Sequence, residues 1–126
     1  MGEAKEAPRF SGQWIGATQG CTMPAHIWEI TQQGRRLTIA TRWEDDPQVQ
    51  RFHGELLPDG TGFTIAGGRF RAVAVGPQHF VVPGWDTNDA RGGVGPHYDV
   101  VFARPGIAEL AARAVYERYR KAAGEL

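Results

Sequence analysis

The chain has 126 residues, with 14 basic and 14 acidic side chains and a formal net charge of zero. A neutral chain without a basic block is a poor partner for nucleic acid or an anionic membrane surface. Cys21 is the single cysteine, which excludes an intrachain disulfide and a cysteine zinc site. The arginine bias among the basic residues points to a GC-rich, bacterial genome. No apolar run is long enough to span a bilayer, residues 1–9 read as a flexible charged N-terminus and not as a secretion signal, and the expected location is the cytoplasm.

From residue 10 onward, short segments rich in Trp, Ile, Val, Phe and Thr alternate with polar residues and are punctuated by Gly, Pro and Asp. This period of two predicts eight strands over about 10–19, 26–33, 36–43, 50–57, 62–66, 69–75, 79–82 and 97–104. After Pro105-Gly106 the period changes. Ile107, Leu110, Ala111, Ala114 and Val115 recur at helical spacing and predict one amphipathic helix to about Ala122. No linker or repeat interrupts the pattern, so residues 10–104 form a barrel and 105–126 a C-terminal helix of the same single domain.

The connections after the second, fourth and sixth predicted strands are tight turns: Gln33-Gly34-Arg35, Pro58-Asp59-Gly60-Thr61 and Gly76-Pro77-Gln78. Those after the first, third and seventh are longer. Laid up and down, eight strands give a barrel with a tight end and a loop-rich end, and an even number lets the first strand pair antiparallel with the last. Alternation then points Trp28, Ile30, Leu37, Ile39, Thr41, Trp43, Phe52, Leu56, Phe63, Ile65, Phe70, Ala72, Ala74, Phe80, Val82, Tyr98, Val100 and Phe102 inward. It leaves Val73, Val75, Val81, Val101 and Ala103 on the outer wall, where the helix is expected to cover them; a second copy of the chain in a homodimer is the alternative cover.

Trp14 stands between Gly12 and Gly16 on the first strand, and Arg104 ends the last strand at the same tight end, placed to lay its guanidinium over the indole. This pairing resembles the lipocalin and calycin barrels, whose G-x-W motif near the start is met by a late Arg. The resemblance implies a calycin-like, all-β, up-and-down, eight-stranded antiparallel barrel that holds a small molecule, and admits a lipocalin-like isomerase or cyclase as a third reading. Nitrobindin-like haem barrels also carry a G-x-W-x-G motif, but this chain departs from them, with Gly20 as its next glycine and no histidine clearly against an inner wall. The polar residues that ring biotin in avidin-like barrels have no counterparts after Trp14.

The expected ligand is therefore a small apolar or aromatic molecule, lodged among Trp28, Trp43, Phe52, Phe70, Ala72 and Tyr98, with His26, Arg69 and Trp85 at the mouth. The competing reading is an interaction or scaffold module with a filled barrel. No catalytic residue is assigned, and binding is expected ahead of catalysis; His26 with Asp86 or Asp89 is the candidate acid–base set. No cofactor is expected. A metal at His26 and His97 would need a third ligand such as Asp86 or Asp89, Glu44-Asp45-Asp46-Pro47 reads as a solvated turn, and Asp86-Thr87-Asn88-Asp89 lacks the glycine and terminal glutamate of a calcium loop. The stretch Arg91-Gly92-Gly93-Val94-Gly95 lacks the strand-to-helix context of a phosphate loop and reads as a turn or lid. His53 and His79 fall on outward positions and read as surface residues.

Overall fold

The period-two pattern builds a closed wall. In the computed structural model, which describes residues 9–87 and 97–124, eight strands run up and down in chain order: β1 Gly12–Thr18, β2 His26–Gln33, β3 Arg36–Trp43, β4 Gln50–Leu56, β5 Gly62–Ile65, β6 Phe70–Ala74, β7 His79–Thr87 and β8 His97–Ala103. Each pairs antiparallel with the next, and β1 closes on β8 with Gly16 opposite Phe102 and Thr18 opposite Val100. Closure leaves no open edge. The architecture is a closed antiparallel up-and-down barrel with a C-terminal helix packed outside, consistent with a calycin-like fold.

The inward residues pack as the alternation requires. Trp14, Trp28, Ile30, Leu37, Ile39, Leu56, Phe63, Ile65, Ala72, Phe80, Val82, Val100 and Phe102 are buried in one core, which Phe10 joins from before β1. Phe52, Phe70, Ala74 and Trp85 are half-buried against it. Ring contacts run almost the length of the interior: Phe10 meets Phe63 at 4.8 Å, Trp14 meets Phe80 at 4.6 Å, and Phe102 bridges Phe80 and Trp28 at 4.9 and 4.1 Å. At this density each ring fixes its neighbours.

The two glycines around Trp14 have separate tasks. A Cβ on Gly16 would lie 2.5 Å from the Phe102 ring across the closing seam, so the glycine makes room for that ring. Gly12 has φ +112°, and a Cβ there would meet the Arg104 guanidinium at 2.9 Å. Arg104 lies 3.9 Å over the Trp14 ring and donates to the carbonyl of Ser11 at 2.9 Å. The Trp14 Nε1–H donates to the Phe10 carbonyl at 2.8 Å. The tight end is thus sealed by a stacked cation and satisfied hydrogen bonds.

Three expectations need correction. Strand β7 does not stop at Val82. Pro83 and Gly84 read as a breaker, but Val82 opposes Val100 while Asp86 opposes Tyr98, so four steps on β7 match two on β8 and the strand continues through a bulge. Gly84 (φ +68°) occupies the bulge, and its N–H donates to Asp99 Oδ1 at 2.9 Å, replacing the lost ladder bond.

The helix also differs. It breaks at Ala111 into α1 Ile107–Leu110 and α2 Ala112–Ala122. The face that packs on the barrel is Ala112, Val115, Tyr116 and Tyr119 against Val75, Val81 and Val101, whereas Ile107 and Leu110 are 86% and 87% exposed. The break rotates the apolar face by about one residue, which removes Ile107 and Leu110 from the expected stripe. His79 points outward as expected but is not a surface residue, because α1 covers it: its Nε2 donates to the Ala108 carbonyl at 2.7 Å. Among the described residues no helix is long and apolar enough to cross a membrane.

Candidate functional site

At the loop-rich end, alternation places polar residues on the inward face. Thr18 at the top of β1, His26 at the start of β2, Thr41 near the end of β3 and Gln50 at the start of β4 share the inward parity of the aromatic residues below them. The bulge in β7 adds two more groups. It brings Trp85 over the core and Asp86 into the mouth, where Asp86 is buried.

Asp86 organises the mouth. Its Oδ2 accepts from the Thr18 hydroxyl at 2.5 Å and from His26 Nε2 at 2.7 Å, joining residues 60 and 68 positions apart in the chain. Both members of the histidine–carboxylate pair are 5% exposed. The carboxylate fixes Nε2 as the protonated nitrogen; among the described residues Nδ1 has no hydrogen-bond partner. The ring is also clamped by Trp43, whose centroid lies 4.1 Å away at 31°. Cys21 is half-buried near this pair. Desolvation, and then the negative charge of Asp86, hold its thiol above the usual range.

Above the pair lies a cleft of about 330 Å³ lined by His26, Thr41, Arg42, Trp43, Asp46, Gln48, Gln50, Trp85 and Asp86. This is the lower end of the usual size for a small-ligand site. The Arg42 guanidinium donates to the Trp43 carbonyl at 3.1 Å. A larger depression of about 510 Å³ lies outside the barrel on β2 to β4, lined by residues such as Thr31, Arg36, His53 and Glu55. It contains no aromatic ring other than His53 and no buried polar side chain, so the mouth is the stronger site although it is smaller.

The structure separates the residues expected to hold a ligand. His26, Trp43 and Trp85 line the cleft. Trp28, Phe52 and Phe70 lie against the Trp85 ring at 5.1, 5.4 and 4.8 Å, all in edge-on contact. Ala72 is fully buried in the core. Tyr98 sits on the other side of the rim against Gly20, and Arg69 is exposed with its guanidinium 5.7 Å from the Phe70 ring. Asp89 and the stretch from Asn88 to Pro96 lie outside the described residues. Thr18, Arg42, Gln48 and Gln50 were not among the expected site residues; a run of polar side chains on inward positions at strand tops is the signal that marks Thr18 and Gln50.

Glu44 ties the second long loop to the start of β2, and Asp46 caps its own turn. Glu44 accepts from the Ala25 N–H at 3.0 Å, and Asp46 accepts from the Gln48 N–H at 2.9 Å. Among the described residues no three His, Cys, Asp or Glu side chains are arranged to hold a metal ion. The interior below Trp85 carries one unusual feature. Trp28 is fully buried, and its Nε1–H is the one buried side-chain polar atom among the described residues without a partner.

Comparisons with protein-family models, with curated proteins and with solved structures return no match.

Proposed function

We propose that the protein binds a small aromatic molecule at the mouth of the barrel, in the cleft between Trp43 and Trp85. The observation that carries this reading is a cleft lined by two half-buried indoles, Trp43 and Trp85, together with a buried, hydrogen-bonded His26–Asp86 pair. Flat aromatic faces give apolar contact, while Gln48, Gln50 and His26 Nδ1 supply polar contacts that fix orientation. Kinship with the lipocalin and calycin barrels is part of this proposal; the stacking of Arg104 on Trp14 and the glycines beside it support it. A cytoplasmic location and a bacterial source remain proposals of the same kind.

The ligand reading is tested by titrating the protein with small heteroaromatic compounds and following tryptophan emission. Saturable quenching is expected, with at least a tenfold loss of affinity in Trp43→Ala, a change of about 1.4 kcal/mol. Absence of saturable quenching across an indole, benzimidazole and nitrophenol series refutes it.

A second reading is an interaction module, possible because aromatic residues fill the barrel and α1 exposes Ile107 and Leu110. A pair of large apolar side chains on one short helix is a candidate contact for another protein or a second copy. It predicts self-association that Ile107→Ser with Leu110→Ser abolishes in sedimentation measurements. A monomer at all concentrations removes the homodimer form of this reading.

A further inference from the structure

We infer that His26 is a general base and that the mouth catalyses proton transfer on a small planar acid. The inference rests on the ligand-binding reading of the same cleft. Three features carry it: the direction of the histidine hydrogen bond, the anchoring of its partner, and the chemistry of the cleft wall.

The carboxylate of Asp86 accepts from Thr18 and from His26 on one oxygen, Oδ2. Two donors pin that oxygen, so the carboxylate cannot turn away. The imidazole therefore donates Nε2–H, and in its neutral form the lone pair lies on Nδ1. A base held in one tautomer, with a carboxylate behind it to stabilise the imidazolium it becomes, is the arrangement proton abstraction requires. His79 supplies the contrast within the same molecule. It is buried too, but its Nε2 donates to a backbone carbonyl under a helix, and it faces no cleft. That is how a histidine is satisfied for structure alone.

A buried histidine–carboxylate pair is a poor device for stability, since desolvating both groups cancels much of their attraction. The pair forms part of the lining of a cleft that also holds Arg42, Gln48 and Gln50. The guanidinium and the carboxamide N–H groups can meet negative charge that develops on a substrate as its proton leaves. Asp46 is the opposing carboxylate in the wall. Trp43 lies tilted against the His26 ring at 4.1 Å and lines the same cleft, giving a flat substrate an aromatic face beside the base.

The step balances without another reactant. A C–H proton passes to Nδ1, the C–H electron pair becomes a double bond toward an adjacent carbonyl or ring nitrogen, and the resulting anion is held by the donors of the cleft. Return of the proton to a different atom completes a tautomerisation and restores neutral His26. Asp86 is a positioning residue; His26 is the catalytic one.

The probe is 5-nitrobenzisoxazole, a flat carbon acid. Removal of its C3 proton converts the C–H pair into the third bond of a nitrile, and the N–O pair leaves as a phenolate. Wild-type protein is expected to give saturable acceleration over buffer, competed by the unreactive analogue 5-nitroindole. His26→Gln loses the acceleration, and Asp86→Asn lowers kcat at least tenfold, within the range that general-base assistance supplies, with KM changed less than twofold. Near-equal circular dichroism spectra establish that the variants fold. If they do not fold, competition in the wild type decides, because acceleration insensitive to 5-nitroindole comes from surface groups and overturns the inference. Acceleration retained in His26→Gln overturns it as well. Saturable quenching by 5-nitroindole without turnover overturns catalysis and leaves binding standing; neither quenching nor turnover removes both.

Discussion

Trp14 and Trp28 face each other across β1 and β2, and they differ in two respects. Trp14 has its indole N–H bonded to the Phe10 carbonyl and a guanidinium stacked on its face. Trp28 is as deeply buried, yet its N–H has no partner. The tight end is built so that each ring and polar atom determines its neighbour. Toward the mouth the packing loosens: Trp85, Phe52 and Phe70 are half-buried, a donor is left unpaired, and a polar cleft opens above. One strand pair therefore contains both a structural plug and a ring below the candidate site. The proposed binding site lies at the end of the barrel opposite the plug.

The largest expected effect is at the plug. Trp14→Ala should destabilise the fold by about 3–5 kcal/mol in urea unfolding, because it empties the closed end. Arg104→Ala should cost less, about 1–2 kcal/mol, and should couple to Trp14 through their stack. A double-mutant cycle without an interaction energy would break the claim that this end acts as a unit.

The outer wall is next. Ending the chain after Pro105 strips Val81 and Val101 of the cover that Ala112, Val115, Tyr116 and Tyr119 provide. A loss of about 2–4 kcal/mol is expected from the exposed area, together with binding of an apolar dye. A truncated protein of full stability would mean that the helix is not part of the wall.

A finer comparison uses the same substitution at both tryptophans. Trp14→Phe leaves the Phe10 carbonyl without its donor, whereas Trp28→Phe deletes a donor that has no partner. Trp28→Phe should therefore be the milder change by about 1–3 kcal/mol. Equal costs would indicate that the Trp28 N–H is satisfied in solution by a partner or a buried water.

The smallest effect concerns Cys21. Desolvation and the Asp86 charge raise its thiol pKa, which lowers the thiolate fraction at neutral pH. Alkylation by iodoacetamide near about pH 8 should be slower than for a free thiol and should accelerate in Asp86→Asn. An unchanged rate in that variant would place Cys21 beyond the reach of the Asp86 charge.

Much of the barrel was legible because strand formation here is a local matter. Alternation identified β2 and β3 to the residue, and the parity of Trp14, Phe63, Ile65 and Phe102 follows from it. The extension of β7 was not legible, since Pro83 and Gly84 carry a local signal for a stop, whereas the resumed pairing with β8 and the Gly84–Asp99 hydrogen bond are long-range. That one bulge also decides the site. It re-aims Trp85 across the interior and carries Asp86 to His26, a pairing across 60 residues that their shared place at the loop-rich end suggests and that leaves Asp86 or Asp89 open until the register of the bulge is known. The face of the helix differs from its periodicity because the chain breaks at Ala111, a position that carries no local breaker residue.

The proposed division of labour between the two ends is tested most directly by the indole N–H resonances, because the chain has four tryptophans, two of them buried in the core and two lining the mouth. Titration with 5-nitroindole, followed by nitrogen–proton correlation spectra, should move the Trp43 and Trp85 resonances along one saturation curve and leave Trp14 unmoved. A Trp14 shift on the same curve, or an absence of saturable movement at Trp43 and Trp85, would contradict a ligand site at the mouth over a sealed barrel.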